Sequence, residues 1–344
     1  MQKKMFGTCA DGKTASIFTI RNERGMEARI SDFGGVLISL FVPDRDGNLR
    51  DVAMGFDTLA GYENNPTYCG ALVGRNANRI RDARFVMDSK EYRLAQNEGE
   101  NSLHSGPDGY DRRMWRAEQT AENSLKLTLF SPHGDQGFPG NLVVCVTYTI
   151  TADNALSIVY SGMTDRRTPM NLTHHAYFKL GGQDAATVLD DELMIRSDAI
   201  TAVDETLCPT GELMDVTGTP FDFRESKKIG RDIGADHAQL RFGKGYDHNF
   251  VLRHQAGEPD VEAYSPASGI RMRLCTDLPG VQLYTGNFLD DSVKTKGGRA
   301  EQQRGAMCLE TQFYPDAVNH PEFPSPIIEA GKYTEHFARF AFSV

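Results

Sequence analysis

An apolar/polar alternation with a period of two recurs along this chain, and it limits the possible folds more than any other feature. Leu125, Leu127 and Leu129 alternate with polar residues, and Ile270, Met272 and Leu274 alternate with Arg271 and Arg273. Residues 142–150 are β-branched and aromatic, and a second such run, 155–160, follows the turn Asp153-Asn154. This pattern reads as strand. Turn signals punctuate it at Asp46-Gly47, Pro107-Asp108-Gly109, Pro139-Gly140-Asn141 and Pro279-Gly280. Residues 42–52 read as a hairpin closed around Asp46-Gly47. The best helical candidate is the short stretch 57–63, with Asp57 as its N-cap. Strands and helices do not alternate, which disfavours a parallel α/β sheet. The expectation is an all-β protein: a large antiparallel β-sandwich with few short helices. No linker, repeat or low-complexity tract divides the chain, so residues 1–344 are expected to form a single domain.

Composition excludes some partners. The formal charge of −10 is the wrong sign for gripping phosphate backbones or anionic membranes, so neither nucleic acid nor membrane is expected as a partner. No apolar run approaches the roughly 20 residues that span a bilayer. The basic N-terminal residues are followed by no apolar core of a signal peptide. The six cysteines are scattered, without a CxxC pair, and three of them, Cys145, Cys275 and Cys308, sit in apolar runs. That spacing suits a reducing, cytoplasmic setting better than a disulfide framework or a zinc site.

Chemistry concentrates in a few polar stretches. Residues 306–319, AMCLETQFYPDAVN, carry an apolar strand into Glu310 and then into an amide and aromatics. A lone strand Glu is most often solvated, but in apolar surroundings it can serve as a base. GRNANRI, residues 74–80, reads either as a turn with solvated arginines or as backbone held against a ligand, with Asn78 and Arg79 as donors. It lacks the lysine and hydroxyl of a phosphate loop. His104 in NSLHSG is either structural or a site residue. In NLTHHAYFKL, His174 and His175 point to opposite faces of an extended chain, so they do not readily share one metal. In GYDHNFVL, Asp247 and Asn249 share a face, and Asp247 either caps a strand or accepts hydrogen bonds from a polyol. In LPGVQLYTGN, Gln282 and Tyr284 share a face that is either an ordinary strand surface or a sugar platform. GxSxG, HExxH and dinucleotide fingerprints are all missing. Together these residue types suit acid–base chemistry on a neutral polyhydroxy ligand without a cofactor.

The five stretches GRNANRI, NSLHSG, NLTHHAYFKL, GYDHNFVL and LETQFYPDAVN, in that order, resemble the aldose 1-epimerases, also called galactose mutarotases. The resemblance runs from Phe33-Gly34-Gly35 to residues 333–340. It implies an antiparallel sandwich with an open sugar cleft, a monosaccharide substrate, and no metal or cofactor. By position it implies Glu310 as general base and His175 as general acid. It implies His104, Asp247, Gln282, Asn78 and Arg79 as sugar-hydroxyl ligands, with Tyr177 lining the cleft. Two residues depart from the family's common pattern: His174 and Lys179 each stand where Asn is usual. The subunit is expected as a monomer or homodimer.

The reaction implied is exchange of α and β anomers of free hexoses such as D-galactose and D-glucose. A base removes the C1-hydroxyl proton, an acid protonates the ring oxygen, and the open aldehyde recloses on its other face. Opposite charges in one cleft are expected to lower the Glu310 pKa and raise that of His175, giving a bell-shaped pH–rate profile. Three alternatives are a hexose-6-phosphate epimerase using Arg75, Arg79 and Arg81, a non-catalytic sugar-binding protein, and a glycoside hydrolase using Asp247 with Glu310.

Overall fold

The computed structural model describes residues 2–292 and 294–344. Three antiparallel sheets dominate it. A five-stranded sheet takes the N-terminal strands in chain order, from Gln2–Thr8 to Leu49–Asp51. A nine-stranded sheet runs from Arg116–Ala121 across to Lys227–Lys228, with the C-terminal strand Thr334–Ser343 inserted between Ala155–Thr164 and Arg271–Thr276. A six-stranded sheet is ordered Tyr177–Phe178, Met307–Gln312, Gly280–Tyr284, Asp247–Leu252, Ser197–Val203 and Pro209–Asp215. The alternating runs of the sequence become these strands. Leu142–Ile150 pairs along its whole length with Ala155–Thr164 on one side, and through residues 142–149 with Ser124–Ser131 on the other.

One hydrophobic cluster draws on all three sheets. It joins Ile20 and Ile30, Val146 and Phe340, and Phe250, Leu283 and Leu309. The six-stranded sheet gives this core one face of its strands. The alternate residues Tyr284 and Cys308 face the other way and join a second cluster under Phe33 and Met54. Both faces of the sheet are thus covered. That is why all six residues of Met307–Gln312 are buried, the charged Glu310 included.

The hairpin forms where expected. Leu37–Pro43 pairs with Leu49–Asp51, and the Asp44 carboxylate accepts the backbone N–H groups of Asp46 and Asn48, each at 2.9 Å. Gly47 takes φ +80°, which a residue with a Cβ adopts reluctantly. The expected short helix also forms, as Leu59–Glu63, but its N-cap is Thr58 rather than Asp57. Thr58 Oγ1 accepts from Gly61 N at 3.3 Å, whereas Asp57 turns outward to accept from Gly297 N at 2.7 Å. The α-helices among the described residues are this one and Ala238–Gly243. No helix among them is long and apolar enough to cross a membrane. All six cysteines are free.

Candidate active site

The site lies on the outer face of the six-stranded sheet. Register sets its floor. Gln282 pairs with Glu310 on one side and with Asn249 on the other, and Tyr284 pairs with Cys308 and Asp247. Strand alternation then turns Asp247, Gln282, Tyr284, Cys308 and Glu310 to one side. The walls come from loops. Asn171 stitches three of the polar stretches together: its N–H donates to Arg75 O, its carbonyl accepts from Ala77 N, and its side chain bonds both N and O of Phe313. Such a bidentate clamp fixes the GRNANRI loop and the His174-His175 segment over the end of the Glu310 strand.

The resulting cavity holds about 230 Å³ and is lined by Tyr68, Asn78, Arg79, Glu98, His104, His175, Tyr177, Asp247, Tyr284, Phe288 and Glu310, with Pro66, Thr67 and Leu103. Seven of the eight residues expected at the site line it. The eighth, Gln282, lies directly behind. Its Nε2 donates to Asp247 Oδ1 at 2.7 Å, and its Oε1 accepts from Gln312 Nε2 at 3.2 Å. A wider depression of about 720 Å³ lies beside Cys9 and Arg113, but the charged side chains there, such as Asp11, Lys13 and Arg112, are half-buried or exposed.

At the centre, His175 Nε2 stands 3.7 Å from Glu310 Oε1, with both groups buried. Among the described residues, Glu310 Oε2 has no hydrogen-bond partner. The His175 ring stacks on Tyr177 with centroids 5.1 Å apart and on Tyr68 at 6.0 Å. Its backbone is held by Ala71 O and Gly70 N. His174 points the opposite way, as its neighbour in an extended chain must, and packs edge-on against Tyr148 in the core. Arg79 donates from Nε and Nη2 to Glu98 at 2.6 and 2.7 Å, and its Nη1 stands 3.9 Å from Asp247 Oδ2. Three lining residues, Tyr68, Asn78 and His104, have left-handed backbone, with φ of 55°, 61° and 53°. Such strain collects where surrounding structure holds a site in place.

Protonation departs from the expectation of opposite charges. Burial pushes the Glu310 carboxyl well above its usual range; nearby Asp247 adds to this and Arg79 opposes it. Burial pulls His175 down to about 4 and His104 well below its usual value. The reason is that water is removed from both partners, and an opposite charge 3.7 Å away does not repay that loss. The pair therefore favours neutral carboxylic acid and neutral imidazole. A single proton transfer between them gives carboxylate and imidazolium, with the same total number of protons.

His104, His175 and Glu310 each bring a potential ligand atom within 4.8 Å of the others, as a metal site would. The tautomer of His104 argues against that use. Asn78 N–H donates to His104 Nδ1 at 3.1 Å, so the ring proton resides on Nε2. That nitrogen is a hydrogen-bond donor, suited to a hydroxyl rather than to a cation.

Sequence reasoning missed Tyr68 and Glu98. Glu98 sits in the polar turn 97–101, where nothing local marks it; its role comes from Arg79, nineteen positions earlier in the chain. Tyr68 carries no motif, and its positive φ is invisible without the fold. The two departures from the family pattern are also placed. Lys179 Nζ donates to Glu301 Oε2 at 2.8 Å with both side chains buried, and His174 is a core residue whose ring nitrogens have no hydrogen-bond partner among the described residues.

The chain is similar to known proteins over nearly its whole length. The family model described as Aldose 1-epimerase matches residues 16–341. The galactose mutarotase of Bos taurus is 40% identical over 332 residues, covering 96% of this chain and 95% of its own. The aldose 1-epimerase of Escherichia coli is 37% identical, covering 92% and 91%. Among solved structures, an aldose epimerase homologue from C. elegans superposes with a TM-score of 0.89 at 31% identity, covering 96% of this chain and 99% of that one. The galactose 1-epimerase of Lactobacillus acidophilus gives 0.86 at 25% identity, covering 99% and 98%. With a match of this extent, and with the five polar stretches gathered around the buried His175–Glu310 pair, the chain belongs to the aldose 1-epimerase family.

Proposed function

We propose that this protein is an isomerase that interconverts the α and β anomers of free hexoses such as D-galactose and D-glucose, with Glu310 as base and His175 as acid. The observation that carries the reading is the His175–Glu310 pair, 3.7 Å apart, with both side chains buried at the floor of the cavity. In its carboxylate–imidazolium form the pair takes the C1-hydroxyl proton on Glu310 and gives the Nε2 proton to the ring oxygen. The C1–O5 bond breaks to an aldehyde, C1–C2 rotation presents the other face, and reversal of both transfers closes the ring. His104, a fixed Nε2–H donor, holds a sugar oxygen, while Arg79, Asp247 and Asn78 engage the remaining hydroxyls. Tyr177 forms part of the wall, and Gln282 holds Asp247 from behind.

An unphosphorylated substrate is favoured over a hexose 6-phosphate because, of the three arginines nominated for a phosphate, two are engaged outside the cavity and the charge of the third, Arg79, is balanced by Glu98. Arg75 is buried and donates to the carbonyls of Ser131, Pro139 and Gly140. Arg79 is held by Glu98, and Arg81 pairs with Asp204 at 2.7 Å. Optical rotation of freshly dissolved α-D-galactose and α-D-glucose tests the reading. Faster decay to the unchanged equilibrium rotation is expected with both, and no acceleration of glucose 6-phosphate beyond the buffer rate. Folded protein that binds sugar without accelerating the decay would make the site a receptor instead.

A further inference from the structure

The two histidines facing Glu310 have different partners at Nδ1. For His104 the partner is the backbone N–H of Asn78, which can only donate. For His175 it is the thiol of Cys308, 3.5 Å away and fully buried. Cys308 stands two residues before Glu310, so strand alternation presents both from the same face. A thiol can donate or accept, and it does so without bringing a charge. Burial, reinforced by Glu310, Cys69 and Asp247, holds Cys308 well above its usual range and keeps it a neutral thiol.

We propose that Cys308 is a positioning residue: its sulfur accepts the Nδ1–H of His175 and thereby confines proton exchange to Nε2, the nitrogen that faces Glu310. The two rings of the cavity are then held in opposite tautomers, His104 as a permanent Nε2–H donor and His175 with a bare Nε2 in its neutral form. The balance is closed. Imidazolium loses its Nε2 proton to the ring oxygen, keeps its Nδ1 proton, which stays hydrogen-bonded to the sulfur, and regains the Nε2 proton when the ring closes. A carboxylate in place of the thiol would stabilise the imidazolium and hinder release of the proton, whereas a neutral acceptor serves both states. The positioning role, though not the tautomer itself, rests on His175 being the acid of the proposed reaction.

The test pairs NMR with kinetics on the full chain. Two-dimensional ¹⁵N–¹³C spectra of histidine-labelled protein should show His175 as the Nδ1–H tautomer and His104 as Nε2–H, the His175 signals being assigned with a His175→Gln variant. Cys308→Ala should lose the single His175 tautomer and lower kcat about 10-fold, as expected for one buried hydrogen bond, with KM changed less than about 2-fold. Cys308→Ser keeps an acceptor at this position and should recover both the tautomer and most of kcat. The proposal is overturned by an Nε2–H tautomer of His175 in the unmodified protein, by wild-type kcat in Cys308→Ala, or by a Cys308→Ser variant as slow as Cys308→Ala. Absence of mutarotation in the unmodified protein would remove the functional reading alone, because the tautomer assignment does not depend on activity.

Discussion

Glu310 sets the energetics at the scale of single residues. It is 3% exposed, one of its carboxylate oxygens has no hydrogen-bond partner among the described residues, and burial pushes it toward its neutral form. Burial that disfavours the carboxylate makes it the stronger base when a substrate hydroxyl is brought against it. Glu310→Gln preserves the shape and removes the base. Turnover is expected to fall by roughly 10²–10⁴-fold, while calorimetry should find galactose affinity within about 3-fold, less than the worth of one net hydrogen bond. Near-normal turnover in that variant would place the base elsewhere. The identity of these side chains was legible in the sequence because the polar stretches and the resemblance name them. Their protonation was not, because it follows from burial supplied by distant loops.

Strand pairing governs the next scale. Gln282 and Asp247 lie on neighbouring strands and meet through a 2.7 Å hydrogen bond, so the amide acts as a buttress for a cavity residue. Gln282→Leu removes that bond and leaves Asp247 to be held by Arg79 alone. The expected result is a KM raised about 3–10-fold with kcat little altered, since one hydrogen bond is worth about 1 kcal/mol; steady-state rates at varied sugar concentration measure it. An unchanged KM would show that Asp247 keeps its place without the amide. A second element-scale device is the buried Lys179–Glu301 pair, which ties the end of Tyr177–Phe178 to the segment around Thr295, whose hydroxyl also donates to Glu301 at 2.8 Å. Lys179→Ala strands a buried carboxylate and is expected to cost about 3–5 kcal/mol, read by urea unfolding. Adding Glu301→Gln should return much of the loss; a single variant as stable as the original protein would show that the pair carries no such load. The period-two pattern shows that Gln282 and Tyr284 share a face, but register alone decides that Gln282 falls behind Asp247 and Tyr284 beside the cavity.

Over the whole molecule, buried histidines couple the fold to pH. Burial depresses His174 and His248 to about 3 and His175 to about 4. Groups depressed in the folded state contribute stability that is present above their unfolded pKa of about 6.5 and is lost as pH falls toward the folded values. Glu310 and Asp247, both raised by burial, act in the opposite sense: their contribution is complete at low pH and fades as pH rises through their folded values. His248 isolates the histidine effect because its ring packs on Phe221, away from the cavity. His248→Gln should reduce the pH slope of unfolding free energy by about one proton, roughly 1.4 kcal/mol per pH unit, between pH 6 and pH 4. Urea titrations across that range supply the slope, and parallel lines for the two proteins would sink the prediction.

By itself the sequence determined the alternating strands, the turns between them, and the set of side chains able to do acid–base chemistry, because these depend on neighbours one or two residues away. Only the tertiary structure decided that Glu310 is buried, that Asp57 yields the helix cap to Thr58, that Glu98 occupies Arg79, and that His104 and His175 have different partners at Nδ1. Each of those outcomes is set by atoms far apart in the chain. Burial and hydrogen-bond partnership are properties of the packed sheets and loops, and no local pattern encodes them.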